Sequence, residues 1–362
     1  MAALSASDMK KLYTPDWRAL LVIVIGTLLI RPLIGQIEFL GHDWMVAFSL
    51  QRYGLLPHDL INGNFYPPWL RSYLLLPFTG LDARLGLAYV NACTVVCLAV
   101  LTYRNSRLTH PEPLYFGFVS VKGIFSVLFA LCNPITLALL WLGQIEFTIM
   151  LGLLLMSWGA PLLLGKYNLG MWAILSSRRN MLFAVIWIGI SLVIWGPWPI
   201  TMLQAILAQQ SAGTIQHPHL MGWQYMHPIL LLIGGVLMLF TNREPLRLIV
   251  SGMLISPYTM PYHYVLVLPL IGRVGLLGKV GLWSTTLLFV FTMGISSIET
   301  KFMAYSLPIL AWLLTAPTLN PREILKDPDI LINRAWRTAQ EIITWLRGQR
   351  AGKDAPVPAP TA

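Results

Sequence analysis

Charge is scarce in this sequence, and acidic charge is scarcest. Only 15 Asp and Glu and 25 Lys and Arg occur among 362 residues, 11% of the chain. Soluble domains carry about 25% charged residues, because a folded surface in water needs them. A large soluble core is thereby excluded. Cysteine is also rare: the 3 present are Cys93, Cys97 and Cys132, all inside apolar runs, so no disulfide framework follows. A GxGxxG turn, a P-loop and an HExxH helix are missing too, which removes support for soluble-type nucleotide and zinc chemistry. The net charge of +10 would suit nucleic acid. The basic residues fall between apolar runs, however, and read as membrane topology, with no nucleic-acid partner.

What the chain does have is apolar sequence, 56% of it. Lys10, Lys11 and Arg18 precede the run Ala19–Ile30 without a small-residue cleavage pattern after it, which predicts an uncleaved first helix with its N-terminus inside. Further runs are Leu85–Tyr103, Leu114–Leu131, Ile145–Leu164, Met181–Trp195, His227–Phe240, Leu248–Ile271, Val280–Ile295 and Phe302–Ala316. A crossing helix needs roughly 20 apolar residues. Arg104 and Arg107, Lys166 with Arg178 and Arg179, Arg243 with Arg247, and Arg273 with Lys279 mark cytoplasmic loops, whereas 199–226 has no Lys or Arg and 36–66 only Arg52. This alternation requires that Pro67–Leu81, too short at about 22 Å to cross, stay on the outer side. A second interruption, Ser256–His263, splits the run Leu248–Ile271 in two. The expected fold is an all-α, polytopic transmembrane bundle of about ten spans plus an outer half-membrane helix. It divides into a cytoplasmic N-terminus (1–18), a membrane domain (19–316), a cytoplasmic amphipathic helix (317–350) and a disordered tail (351–362).

Polar residues gather on the predicted outer side: Glu38, His42, Asp43, Asp59, Tyr66 and Arg71, then Gln144 and Glu146, then His217, His219 and His263. Ionisable groups near a membrane are costly and mark a pathway or a site by default. Several of them sit in three ordered motifs. The first is Gly41-His-Asp43, with Asn64-Phe-Tyr66-Pro-Pro-Trp-Leu70 after it; the second is Leu142-Gly-Gln144 opening an apolar helix; the third is Ser256-Pro257 followed by Tyr262-His263. Together they resemble the polyprenol-phosphate-mannose-dependent mannosyltransferases of glycosyltransferase family 87, in the C superfamily of membrane glycosyltransferases. The resemblance spans roughly residues 20–300, and the motifs carry it. Two features depart from the family pattern. Leu175-Ser-Ser-Arg178-Arg179-Asn180 stands where a Lys-Pro pair is frequent, and the late motif has a single His263 where two adjacent His are frequent.

The resemblance implies a hexosyltransferase in a bacterial inner or plasma membrane with an outward-facing site. It would move a hexose, mannose first among them, from a polyprenyl-phosphate donor to a glycan, lipid or protein hydroxyl with inversion. Its partners are then the lipid-linked donor, the acceptor and membrane lipids; no cofactor is implied. Asp43 corresponds to the family's loop aspartate and general base, although Asp before Trp44–Tyr53 also suits a helix N-cap. Asp59 is the second candidate base, or a solvated loop residue. Arg71 suits a bidentate phosphate contact or snorkelling to headgroups. Tyr66, Gln144 and His263 are expected sugar or phosphate contacts, with a structural hydrogen bond as the other reading of His263. Lys122 lies inside its run and would pair with a carboxylate such as Glu146. His217 and His219 lack an obvious third metal ligand, and no metal site is expected. Ile332, Trp336, Ala339, Ile343 and Leu346 form the apolar stripe of the tail helix. The rival class is a non-catalytic protein: a polyprenyl-lipid transporter or flippase, or a membrane assembly protein.

Overall fold

The computed structural model describes residues 15–37, 41, 44, 66–70, 78, 81–109, 120–211, 228–241, 244–256, 259–292 and 298–315. Asp43, Asp59, Arg71, His217, His219 and the tail from 316 onward lie outside the described residues. Every described element is helical. By length and composition four stretches could cross a membrane: Trp17–Ile34, Ala83–Leu108, Phe147–Gly165 and Arg178–Trp195. A fifth arises if the bent pair Val121–Leu131 and Pro134–Leu142 counts as one.

The first long helix, α1 (Trp17–Ile34), starts at Asp16, whose carboxylate accepts the Ala19 N–H. It packs antiparallel on α2 (Ala83–Thr109). Asp16 meets Arg104 at 3.8 Å at one end, and Arg31 stacks over Tyr89 towards the other. Antiparallel neighbours begin and end at opposite levels, so the chain between them returns to the level at which it left. That agrees with the parity required by the Lys/Arg pattern.

The next run, Leu114–Leu131, ends before Asn133-Pro134, and a further apolar helix follows that lies in none of the expected runs. Asn133 caps α4 (Pro134–Leu142) through the Ile135 N–H and donates to Thr286, and Pro134 occupies the first turn, where no amide is needed. The preceding α3 (Val121–Leu131) meets α4 at a 56° bend. Gly143, at φ +70, ends α4.

The run Ile145–Leu164 departs from its expected single span. It holds α5 (Phe147–Leu155), a short 3-10 turn and α6 (Ala160–Gly165). A straight helix would set residues 146 and 166 about 30 Å apart. Instead, Lys166 is hydrogen-bonded to Glu146. The chain reverses at Met156, which holds φ +53, a region a non-glycine residue rarely adopts. Glycine permits the close approach: a Cβ on Gly159 would lie 2.7 Å from Gly152 Cα. A second reversal follows at Lys166, where α7 (Tyr167–Ile174) returns along α6 and a Cβ on Gly170 would overlap the Leu163 carbonyl. The apolar segment thus folds back on itself. Lys166, expected in a cytoplasmic loop, is carried to the opposite level.

The two helices after it are α8 (Arg178–Trp195), capped by Ser177, and α9 (Trp198–Ser211). Trp187, Trp195 and Trp198 surround Trp69 with ring centroids 5.7, 6.3 and 5.1 Å away, and Trp69 donates to the Pro161 carbonyl. These contacts bury Trp69 and Leu70, the described end of the Tyr-Pro-Pro element.

The last part of the chain contains α10 (Pro228–Leu239), α11 (Pro245–Ile255), a long 3-10 rod (Pro261–Arg273), α12 (Leu276–Thr292) and α13 (Ile298–Thr315). The expected interruption at Ser256–His263 separates α11 from the rod. The two halves form a hairpin, because Arg273 Nη2 bonds Glu244 Oε1 at 3.0 Å across the ends remote from the interruption. Such 3-10 runs are uncommon beyond four residues. This one lies at the centre of the bundle, with Tyr264 through Ile271 buried on every side, and at 13 residues it extends about 26 Å.

Candidate functional site

Four charged or polar side chains meet at the upper end of that rod: Gln144, Glu146, Lys166 and His263, each 3% exposed or less. Different devices deliver them. The left-handed Gly143 ends α4 and releases Gln144. Glu146 stands at the start of α5, and the reversal at Met156 brings Lys166 back to it. His263 sits in the first turn of the rod.

Lys166 Nζ donates to Glu146 Oε1 and, at 3.4 Å, to Gln144 Oε1; it also lies 5.1 Å from the Tyr262 ring centroid. His263 Nδ1 accepts the Met260 N–H at 2.9 Å. A neutral imidazole bound in this way carries its proton on Nε2. That nitrogen faces Glu146 Oε1 at 3.6 Å, close enough for electrostatic attraction but too long for a hydrogen bond. Tyr262 packs edge-on to His263 with ring centroids 4.6 Å apart. A carboxylate, an ammonium, a proton-bearing imidazole and an amide thus share one water-poor place. Low dielectric strengthens each attraction and makes any loss of balance costly.

The first motif approaches the same place. Gly41 donates its N–H to the Trp141 carbonyl at 2.6 Å. A Cβ on Gly143 would lie 2.8 Å from Trp44 Cβ and 2.9 Å from Gly41 Cα. The buried Trp44 also donates its indole N–H to the Ala83 carbonyl. Phe78 meets Phe147 edge-on at 5.6 Å, one residue beyond Glu146. Tyr66 is half-buried and packs against the same core.

The structure therefore brings Gln144, Glu146 and His263 together. Lys122 does not join them. It is exposed in the first turn of α3, and the ammonium beside Glu146 belongs to Lys166. Hydrophobic periodicity gave no sign of Lys166, since a straight span and a helical hairpin are equally apolar. The spacing of Gly152, Gly159, Gly165 and Gly170 was the available signal for close backbone approach.

A second polar group lies at the other end of the rod, about 20 Å from His263 by its rise. Arg273 Nε donates to Asn105 Oδ1 at 2.6 Å and its Nη2 to Glu244 Oε1. Glu244 also caps α11, accepting the Leu246 and Arg247 N–H groups. Lys279 donates to Ser126 and to the Ile271 carbonyl. Among the described residues no group of three or more His, Cys, Asp or Glu side chains could hold a metal ion. No family model, curated protein or solved structure matches the chain.

Proposed function

We propose that the chain is a polytopic membrane glycosyltransferase. It transfers a hexose, mannose first among the candidates, from a polyprenyl-phosphate donor to an outward-facing hydroxyl. The observation that carries this reading is convergence: Gln144 of the second motif and His263 of the third share one buried cluster, and Gly41 and Trp44, which flank Asp43 in the chain, pack on Gly143. Motifs far apart in sequence need no such meeting if each serves only its own helix.

In the reaction, the acceptor hydroxyl attacks the anomeric carbon from the face opposite the phosphate. Its proton passes to the Asp43 carboxylate. The bond from the anomeric carbon to the phosphate oxygen breaks, and the electron pair leaves with the lipid phosphate. Lys166 and the Nε2–H of His263 then supply the positive charge and hydrogen-bond donation that the leaving phosphate requires, with Arg71 from the outer segment. Glu146 holds Lys166 in place before the donor arrives, and Gln144 and Tyr66 contact sugar or phosphate. The Glu146 end faces outward, because Arg104, Arg247 and Arg273 occupy the opposite end and basic residues favour the cytoplasmic side. The apolar passages, about ten in all, include the two fold-back segments.

The non-catalytic transporter keeps one specific support: both hairpins are discontinuous helices inside the bundle, a device that transporters use around ion and substrate sites. One experiment separates the two readings. Purified chain in proteoliposomes is given radiolabelled polyprenyl-phosphate mannose with membrane lipids as acceptors. Label in a new glycoside supports transfer. Label that only changes leaflet supports transport and overturns the enzyme reading.

A further inference from the structure

Two adjacent arginines, Arg178 and Arg179, open α8, and both are exposed. Contacts with the hairpin of α5 and α6 place them at the basic end of the bundle. Asp16, which meets Arg104, donates its N–H to the Leu154 carbonyl at 3.0 Å. Ser157, in the turn after α5, donates to Asn180 Oδ1 at 2.6 Å. The start of α8 is therefore level with Arg104. Negative charge is scarce in this part of the chain. No Asp or Glu occurs between Glu146 and Glu244, and those two carboxylates hold Lys166 and Arg273.

Aromatic rings support the arginines. The Arg179 guanidinium lies over the Phe183 ring, 5.7 Å from its centroid. Trp158, at the tip of the hairpin, meets the same ring edge-on at 5.0 Å and is itself 56% exposed. A ring contact restrains a guanidinium while leaving its N–H donors available to an anion.

Beyond the arginines α8 has two faces. Ala184 and Ser191 are buried in the bundle, whereas Leu182, Val185, Ile186, Ile190 and Val193 are exposed. The exposed residues share one side of the helix, because they recur near the 3.6-residue period. Gly189 lies on that side too, with nothing within 4 Å of where its Cβ would stand, so the surface is notched there. From Leu182 to Val193 the helix rises about 17 Å. Half of the hydrocarbon core of a bilayer is about 15 Å. An amphiphile with one anionic group and a tail one leaflet long matches both the charged and the apolar part of this surface.

We propose that Arg178, Arg179 and the Phe183–Trp158 platform hold the phosphate headgroup of an anionic phospholipid of the cytoplasmic leaflet, with an acyl chain along the exposed face of α8. The arginines supply charge and paired N–H donation to the phosphate. Trp158 sits at the boundary of headgroup and chain, where tryptophan is favoured. The site rests on the placement of α8 across the membrane and is independent of the Glu146 cluster and of sugar transfer.

The test uses the full chain purified in detergent and stripped of lipid. Native mass spectrometry follows its titration with phosphatidylglycerol and, separately, with phosphatidylcholine of the same acyl chains. Wild type is expected to bind phosphatidylglycerol about tenfold or more tightly, since each arginine is worth about fivefold at an anionic headgroup. Arg178→Gln with Arg179→Gln should abolish most of that preference and keep the lipid-free unfolding midpoint. Phe183→Leu keeps both arginines but frees Arg179, and about a threefold loss of preference is expected; it also serves if the double variant fails to fold. Lys122→Gln, which removes an exposed cation of α3, should leave the preference unchanged. The proposal is overturned if wild type shows no preference, if the folded double variant or Phe183→Leu retains it in full, or if Lys122→Gln lowers it as far as the double variant does. Displacement of the lipid by equimolar inorganic phosphate would assign a free-anion site and overturn it as well. Release of the chain from membranes by alkaline carbonate alone would refute the membrane placement, a failure distinct from all of these.

Discussion

The two ends of the central 3-10 rod solve the problem of buried charge differently. At the His263 end, one carboxylate faces an ammonium and an imidazole, and the four participating residues come from three separate stretches of chain. At the Arg273 end, Glu244 serves as a helix cap and a counter-ion together, and Asn105 completes the tie to α2. The Arg273 end locks helix ends with bonds that capping and hairpin closure already call for. At the His263 end, Lys166 is delivered by a chain reversal at Met156 that no neighbouring helix end requires. The proposed chemistry rests on the first kind of charge, whereas charge that doubles as a cap serves the architecture.

Disrupting the His263 end should have the largest effect. Glu146→Ala leaves the Lys166 ammonium buried without its carboxylate, which costs about 3–5 kcal/mol. Thermal unfolding should show the loss. The double variant Glu146→Leu with Lys166→Met should recover much of it while remaining inactive in sugar transfer. Recovery of activity along with stability would assign this cluster to architecture.

At the Arg273 end, Glu244→Gln retains an oxygen for capping but removes the charge opposite Arg273. A loss of about 1.5–3 kcal/mol is expected, with transfer per folded molecule unchanged. A selective loss of transfer would erase the contrast between the ends.

The second reversal, at Lys166, can be tested by itself. Gly170→Ala forces a methyl group against the Leu163 backbone, and overpacking of this kind costs about 1–3 kcal/mol. Unfolding midpoints should drop accordingly. A silent substitution would mean that α6 and α7 do not pack as closely as described.

The smallest effect belongs to Lys122. It is exposed in the first turn of α3, so Lys122→Gln should change stability by no more than about 0.5 kcal/mol and leave transfer intact. A loss comparable to that of Glu146→Ala would return the pairing role to Lys122.

Much of this arrangement was legible in the sequence. The helix Pro134–Leu142 lay between two expected runs, and its start is coded by Asn133-Pro134, since Asn caps and Pro needs no amide. Ser256–His263 marked an interruption through its prolines. Gln144, Glu146 and His263 stood out as ionisable or polar groups in apolar surroundings, and the structure gathers them. The hairpin within Ile145–Leu164 was hidden, because apolar content measures burial and says nothing about direction. With it went Lys166, which counted as a loop cation until chain reversal placed it on Glu146. The rod was hidden as well: Pro261 and Pro269 bound an apolar segment without revealing that it winds as a 3-10 helix. Arg247 likewise resembled any basic residue near a helix start, and only burial against Trp312 distinguishes it.

The most direct test of the proposed chemistry is the rate of mannose transfer from the polyprenyl-phosphate donor by purified Asp43→Asn protein. Asn caps helices about as well as Asp, so folding is spared if Asp43 also caps. The substitution removes the proton acceptor. A folded variant with the wild-type unfolding midpoint should transfer about 10²–10⁴ times more slowly. The same folded variant transferring at the wild-type rate would contradict the account.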